Sequence, residues 1–214
     1  MFSRPFLVSV ALVTLAFAAV PARAGAPASA DGAAVWIQDF GNRAVEVLAI
    51  DELTNHQLNS RFRTLFSEGF DIPAIARRVL GRYWPRAVKD GLDEEYLSLF
   101  EDYVVLIYAS RFRQYSGETF EAQDVRRGSA DFLIVGSQVA TPDSSAPPIR
   151  VDWLVVNTND AYKIHDVVIE GVSMVVTQRS EFSSVIGQRG GTVQGLLDVL
   201  REKTKELRSG PSGD

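Results

Sequence analysis

Hydrophobic periodicity changes twice along this 214-residue chain, and that double change restricts its fold more than any other feature. Up to about residue 115, apolar residues recur every three to four positions, the spacing of one helix face. After Gly117 they alternate, or run in β-branched and aromatic stretches, which is the signature of strands. From about residue 176 the helical spacing returns. Helices, then consecutive strands, then helices imply an α+β fold, not the regular alternation of a doubly wound sheet. The chain has no internal repeats.

The first helix is expected over 33–50, where Trp36, Phe40, Ala44 and Val47 form a stripe with Ile37 and Leu48 beside it. Thr54, with Gln57 three residues on, makes a capping box that opens a second helix. Leu58, Phe62, Leu65 and Phe66 share one face of it, and Gly69 ends it. A short third helix begins at Asp71-Ile72-Pro73, with proline in the first turn, where its missing N–H does no harm. Gly81 and Pro85 bracket its end, leaving Tyr83 and Trp84 in the exit turn. The longest helix, 93–115, starts at Asp93, with Glu94 and Glu95 placed well for the helix dipole. Its apolar residues run from Tyr96, Leu99 and Phe100 through Tyr103, Val104, Ile107 and Tyr108 to Phe112. So broad a stripe must be covered on more than one side. Strands are expected over 118–126, 131–140, 149–157 and 162–170, an antiparallel meander with a turn at Thr158-Asn159-Asp160 and a longer loop over 142–148. Helices over 176–188 and 192–207 close the chain. The expected architecture is therefore a four-stranded antiparallel sheet wrapped by N-terminal and C-terminal helices around an apolar cavity.

The N-terminus reads as a secretory leader. Arg4 precedes an uninterrupted run of 15 apolar and small residues, 6–20, and Pro21-Ala22-Arg23-Ala24 presents a small-x-small site with cleavage expected after Ala24. The run falls short of the ~20 residues that span hydrocarbon. The expected division is thus a signal peptide over 1–24, a linker over 25–32, a single domain over 33–208 and a disordered tail over 209–214. With no cysteine in the chain, lipoprotein attachment, a disulfide framework and thiolate metal sites are all excluded. Removing 1–24 takes Arg4 and Arg23 with it and leaves 20 basic against 27 acidic residues. An acidic balance of that kind argues against non-specific nucleic-acid binding.

Catalytic patterns are sparse. His56 and His165 lie in different kinds of element, and no pair at metal-ligand spacing occurs. Gly171-Val172-Ser173-Met174-Val175 approaches a nucleophile elbow but lacks the second glycine and the parallel strand that must precede it. A curved sheet closed by helices could form a cone with an acid–base pair. His165 and Asp166, however, are neighbours on one strand and point to opposite faces, so at most one lines such a cavity. Asp166 is expected to anchor its strand to a neighbour, Arg179 being the candidate. No catalytic residue, metal site or cofactor is expected.

Several motifs, in order, resemble the MlaC family of periplasmic phospholipid-binding proteins, also known as toluene-tolerance proteins. They are Phe70-Asp71-Ile72 with Ile75-Ala76; Val79-Leu80-Gly81-Arg82-Tyr83-Trp84; Tyr108-Ala109 with Tyr115-Ser116-Gly117-Glu118; and Asp166-Val167-Val168-Ile169-Glu170-Gly171-Val172-Ser173, followed by Arg179-Ser180-Glu181-Phe182. The family's Asn-Tyr-Arg stretch reads Thr177-Gln178-Arg179 here, so its aromatic is absent. The resemblance covers about 35–207. It implies a soluble, monomeric carrier that shuttles phospholipid between an outer-membrane lipoprotein complex and an inner-membrane lipid-transporter component. A branch associated with hopanoid biosynthesis makes hopanoid the rival ligand.

The residues support a carrier on their own account, because the helices hold more large apolar side chains than one sheet face requires. Two acyl chains, ~30 methylenes at ~30 Å³ each, need on the order of 900 Å³, near the upper end of ordinary ligand pockets. An elongated cavity is expected between the sheet and the helices of Phe62 and Phe112. Its candidate lining is Phe70, Ile75, Val79, Tyr83, Trp84, Phe100, Val104, Tyr108, Trp153, Val155, Val172 and Met174. The basic cluster Arg77, Arg78 and Arg82, with Arg86 and Lys89, is the one dense positive patch. It is expected to hold a phosphate headgroup at the pocket rim or to dock an acidic partner, a solvated helix face being the plainer alternative.

Overall fold

The computed structural model describes residues 30–48, 50, 53–112, 117–129, 132–142, 144–158 and 161–209. The expected leader, most of the linker, the tail beyond 209 and the turn at 159–160 lie outside the described residues. Among the described residues five helices precede the sheet: α1 (Ala30–Leu48), α2 (Asn55–Gly69), α3 (Ile72–Leu80), α4 (Trp84–Lys89) and α5 (Asp93–Phe112). The strands follow as β1 (Thr119–Arg127), β2 (Leu133–Ala140), β3 (Ile149–Thr158), β4 (Ala161–Ile169) and β5 (Val172–Ser173), and then come α6 (Met174–Gln188) and α7 (Val193–Ser209). The sheet runs in the order β1-β2-β3-β4-β5 with every neighbouring pair antiparallel. The fold is α+β, as expected. Among the described residues no helix is long and apolar enough to cross a membrane.

Three elements depart from expectation. A fifth strand extends the meander; at two residues it is too short to show a period. It forms because Glu170 and Gly171 both take positive φ, 48° and 81°, the backbone of a tight two-residue hairpin. The first helix begins at Ala30, inside the expected linker. The exit turn after α3 is a short 3₁₀ turn that runs straight into α4, with Pro85 in its first helical turn.

Two apolar cores organise the molecule. One lies between α1 and the inner sheet face, where Ala33, Ile37 and Phe40 meet Leu133, Val135, Val155 and Ile164. The other fills the helical layer, where Tyr96 and Phe100 of α5 pack among Val79, Leu80, Phe182, Ile186 and Leu196. The broad stripe of α5 is covered as expected, by α2, α3, α4 and α7. At its centre the buried Tyr96 hydroxyl donates to the Ala76 carbonyl at 2.9 Å, and burial pushes its phenol well above the usual range. Arg63 ties α2 to Glu101 (2.7 Å) and Asp102 (2.5 Å) of α5, and Arg208 of α7 reaches the same Asp102.

Tyr96→Phe removes one neutral hydrogen bond while keeping the ring. Stability should fall by about 1 kcal/mol, lowering Tm by about 2–4 °C in a thermal melt, with bound apolar ligand unchanged.

Candidate functional site

The two cores do not merge everywhere. Between them lies a cavity of about 540 Å³, lined by members of both: Phe40 and Leu65 from the α1–sheet core, and Phe62, Phe66, Ile75, Val79, Phe100 and Val104 from the helical core. The sheet contributes Phe120, Val139, Val151, Trp153, Val167 and Ile169. Burial is greatest at Val79 and Phe100 and falls toward Thr119, Gln178 and Ile169, so the cavity opens where β1 begins, β4 ends and α6 starts. The few polar residues that line it, Glu118, Thr119 and Gln178, lie at this open end, together with a deeper carboxylate, Asp166.

An aromatic series runs along the wall. Phe62 and Phe66 stack at 6.0 Å, Phe66 meets Phe70 at 4.5 Å, and Phe70 meets Phe40 edge-on at 5.9 Å. Phe40 then meets Trp153 at 6.1 Å, and Trp153 meets Phe120 at 6.0 Å. Trp153 is oriented by its one polar atom, since Nε1 donates to the buried Ser137 hydroxyl at 2.8 Å and that hydroxyl donates to the Val151 carbonyl at 3.1 Å. Phe120 can lie against α1 only because Gly41 has no side chain, for a Cβ there would sit 2.2 Å from the ring.

Eight of the twelve expected lining residues are on the cavity wall: Phe70, Ile75, Val79, Phe100, Val104, Tyr108, Trp153 and Met174. Four are not. Tyr83 lies under the Arg82 guanidinium, 4.9 Å from its ring centre, and Trp84 packs between Tyr96 and Arg77. Val155 shares the inner face of β3 with Trp153 but lies beneath α1, fully buried with Ile164. Val172 is 53% exposed on the edge strand. The contribution of α1, through Phe40, Gly41, Ala44 and Val45, is absent from the expected lining, although the Phe40/Ala44 stripe was the available signal. The volume is smaller than the expected ~900 Å³.

The basic cluster does not reach the cavity. Arg77, Arg78 and Arg82 are all missing from its lining, and Arg78 donates instead to the His165 carbonyl at 3.0 Å. A headgroup contact from these three is therefore not what the geometry provides. Asp166 is the member of the His165–Asp166 pair that lines the cavity. Its carboxylate is saturated by local donors: Oδ2 accepts from the Ser173 hydroxyl at 2.6 Å, and Oδ1 from the N–H groups of Val167 (2.9 Å) and Val175 (3.1 Å). Ser173 in turn caps α6 by accepting from the Val176 N–H. The expected partner, Arg179, is elsewhere and donates to the Arg78 carbonyl at 2.7 Å. His165 faces away, against Phe132, with Nε2 buried and 3.5 Å from Asp71 Oδ2 but without hydrogen-bond geometry. Burial holds its pKa below the usual value, against the pull of Asp71. Among the described residues no group of three or more His, Cys, Asp or Glu side chains could hold a metal ion. Such a site is suited to sequestering an apolar chain.

Comparison with known proteins agrees with this geometry. The family model described as MlaC protein matches residues 38–202. A phospholipid-binding protein from Ralstonia solanacearum, solved in complex with a phospholipid, has the same fold. It superposes with a TM-score of 0.68 at 20% sequence identity, over 82% of this chain and 97% of that one.

Two outcomes follow from the carboxylate and the imidazole. Asp166→Asn places an amide among three donors and should cost about 2 kcal/mol, read as a lower Tm, without a separate effect on ligand transfer; a normal melt with lost transfer would contradict the anchoring role. For His165 the folded pKa lies below the unfolded one, so the unfolded chain binds the proton more readily as pH falls through ~6.5. Stability from this residue is complete above that pH and is lost below it. From pH 7.5 to 5.5 the wild type should therefore lose more Tm than His165→Gln.

Proposed function

The chain belongs to the MlaC protein family, and from that premise we propose that it is a periplasmic carrier that binds phospholipid and shuttles it between the inner and outer membranes. The observation that carries this reading is the cavity: about 540 Å³, apolar at its closed end and open at the other. It is a binding site rather than a catalytic one, because its single deep carboxylate is committed to the start of α6.

The energetics suit exchange. At ~30 Å³ per methylene the enclosed volume takes about 18 of them, one acyl chain in full, and a second chain lies toward the open end. Shielding each methylene is worth about 0.8 kcal/mol, the same gain a bilayer offers, so lipid can pass either way without a large free-energy step. Among the described residues none that lines the cavity is basic, and a phosphate cannot be buried unpaired. The headgroup accordingly stays hydrated at the mouth beside Glu118, Thr119 and Gln178. The carrier works as a monomer, after removal of residues 1–24, between an outer-membrane lipoprotein complex and an inner-membrane lipid-transporter component.

Mass spectrometry of organic extracts from the purified protein tests the ligand. About one phospholipid per chain is expected. Hopanoid in its place would replace the ligand assignment, and a clean extract from well-folded protein would sink the carrier.

A further inference from the structure

The cations that do not reach the cavity form a surface of their own, and it includes a residue outside the α3–α4 run. Gly81 takes φ +55° and has no side chain, and Arg179 of α6 lies across it: a Cβ on Gly81 would meet the Arg179 Nε at 3.4 Å. That Nε donates to the Arg78 carbonyl, which fixes the guanidinium beside the C-terminal end of α3. On either side, Arg77 is stacked over Trp84 at 5.2 Å, and Arg82 is stacked over Tyr83 with its Nη2 donating to the phenol oxygen at 2.9 Å. All three arginines are exposed. Among the described residues none of them has a carboxylate within ion-pair distance, although acidic residues outnumber basic ones in the chain.

We propose that Arg77, Arg82 and Arg179, arrayed around Gly81, dock an acidic protein surface, that of the membrane-bound partner with which the carrier exchanges lipid. The proposal rests on the carrier reading above. Two features favour a protein over an anionic bilayer. First, each guanidinium is positioned by an aromatic ring or a carbonyl, and a positioned fork matches a carboxylate; attraction to a charged bilayer needs only loose, snorkelling cations. Second, the surface leads to the mouth. Val176, exposed on the first turn of α6, is one turn from Arg179, and with exposed Ile149, Ile169 and Val172 it makes an apolar collar where the sheet ends. A partner held by the arginines thereby covers the collar, and lipid passes without crossing water.

The test measures association of the lipid-loaded mature protein with two partners: the inner-membrane transporter component in nanodiscs of zwitterionic lipid, and the outer-membrane lipoprotein complex. The double reversal Arg82→Glu/Arg179→Glu should slow association with at least one of them by about tenfold at low salt and flatten its salt dependence. Bound phospholipid should stay at the wild-type level, while Tm falls modestly through loss of the Arg179–Arg78 bond. The neutral pair Arg82→Gln/Arg179→Gln should give an intermediate slowing, which separates charge from any local misfolding. Unchanged rates with both partners overturn the proposal. So does a slowing seen only when the nanodisc lipid is made anionic, which makes the bilayer the occupant, and so does loss of phospholipid from the variant, which makes the arginines a headgroup site. A wild-type protein that carries no phospholipid instead sinks the carrier reading itself.

Discussion

One short joint holds the two cores in register. At the α2–α3 junction Phe70 forms an isolated parallel bridge with Ile164 of β4, and the Asp71 N–H donates to the Ile164 carbonyl at 3.0 Å. The Phe70 ring packs against both cores, between Phe66 on the helical side and Phe40 on the sheet side. The Asp71 side chain then caps α3 by accepting from the Ala74 N–H. A single dipeptide thus pairs with the sheet, turns the chain and starts the helix that carries Ile75 and Val79 to the cavity wall. Without it the helical layer would have no fixed distance from the sheet, and the gap between the cores would have no fixed width.

The gap persists because its walls are propped open by rigid groups. A dry void forfeits packing on every atom that lines it, so flexible side chains would collapse inward. Aromatic rings resist that collapse, having only two torsions each, and those here are locked edge to face. Glycine does the complementary work at Gly41 and Gly69, where α1 and α2 admit the rings of Phe120 and Phe40 to distances no Cβ would tolerate. A glycine inside a helix costs about 1 kcal/mol relative to alanine. Gly41 lies inside α1 and bears that cost beside a lining ring, so wall geometry there takes precedence over helix stability, whereas Gly69 is the last residue of α2.

This division of labour explains what could be read from the sequence and what could not. Apart from α4 and β5, element type and order followed from period alone, and the Thr54 capping box is present with both reciprocal bonds. Periodicity names a face, though, and a face does not distinguish a filled core from a void. Trp153 and Val155 share a face of β3, yet the first lines the cavity and the second is sealed in the core formed with Ala33 and Ile37 of α1. Tyr83 and Trp84 are among the expected lining residues; the adjacent arginines, which lie over their rings, make them a surface platform instead. The Arg179–Arg78 contact spans 101 positions and follows no local rule, so its place beside the α3 cations emerges only in three dimensions.

The same physics shapes the sheet edges, where a carrier with an exposed apolar rim is most at risk of pairing with its own copies. Edge β1 carries a free row of backbone groups, a template for another strand. The Gln38 side chain of α1 occupies it: Nε2 donates to the Phe120 carbonyl at 3.3 Å, and Oε1 accepts from the Ala122 N–H at 2.7 Å. A register shift between Ala122 and Val125 interrupts the rest of that edge. At the opposite edge the hairpin through Glu170 ends the sheet after two residues, and its strained αL residue is held by bonds to Arg150, from the Glu170 N–H to the carbonyl and from the Arg150 N–H to the Glu170 carboxylate. One edge is therefore covered and the other is cut short. What remains open between them is the cavity mouth and its collar, and that opening can stay apolar because the backbone on either side offers a second copy so little to bind.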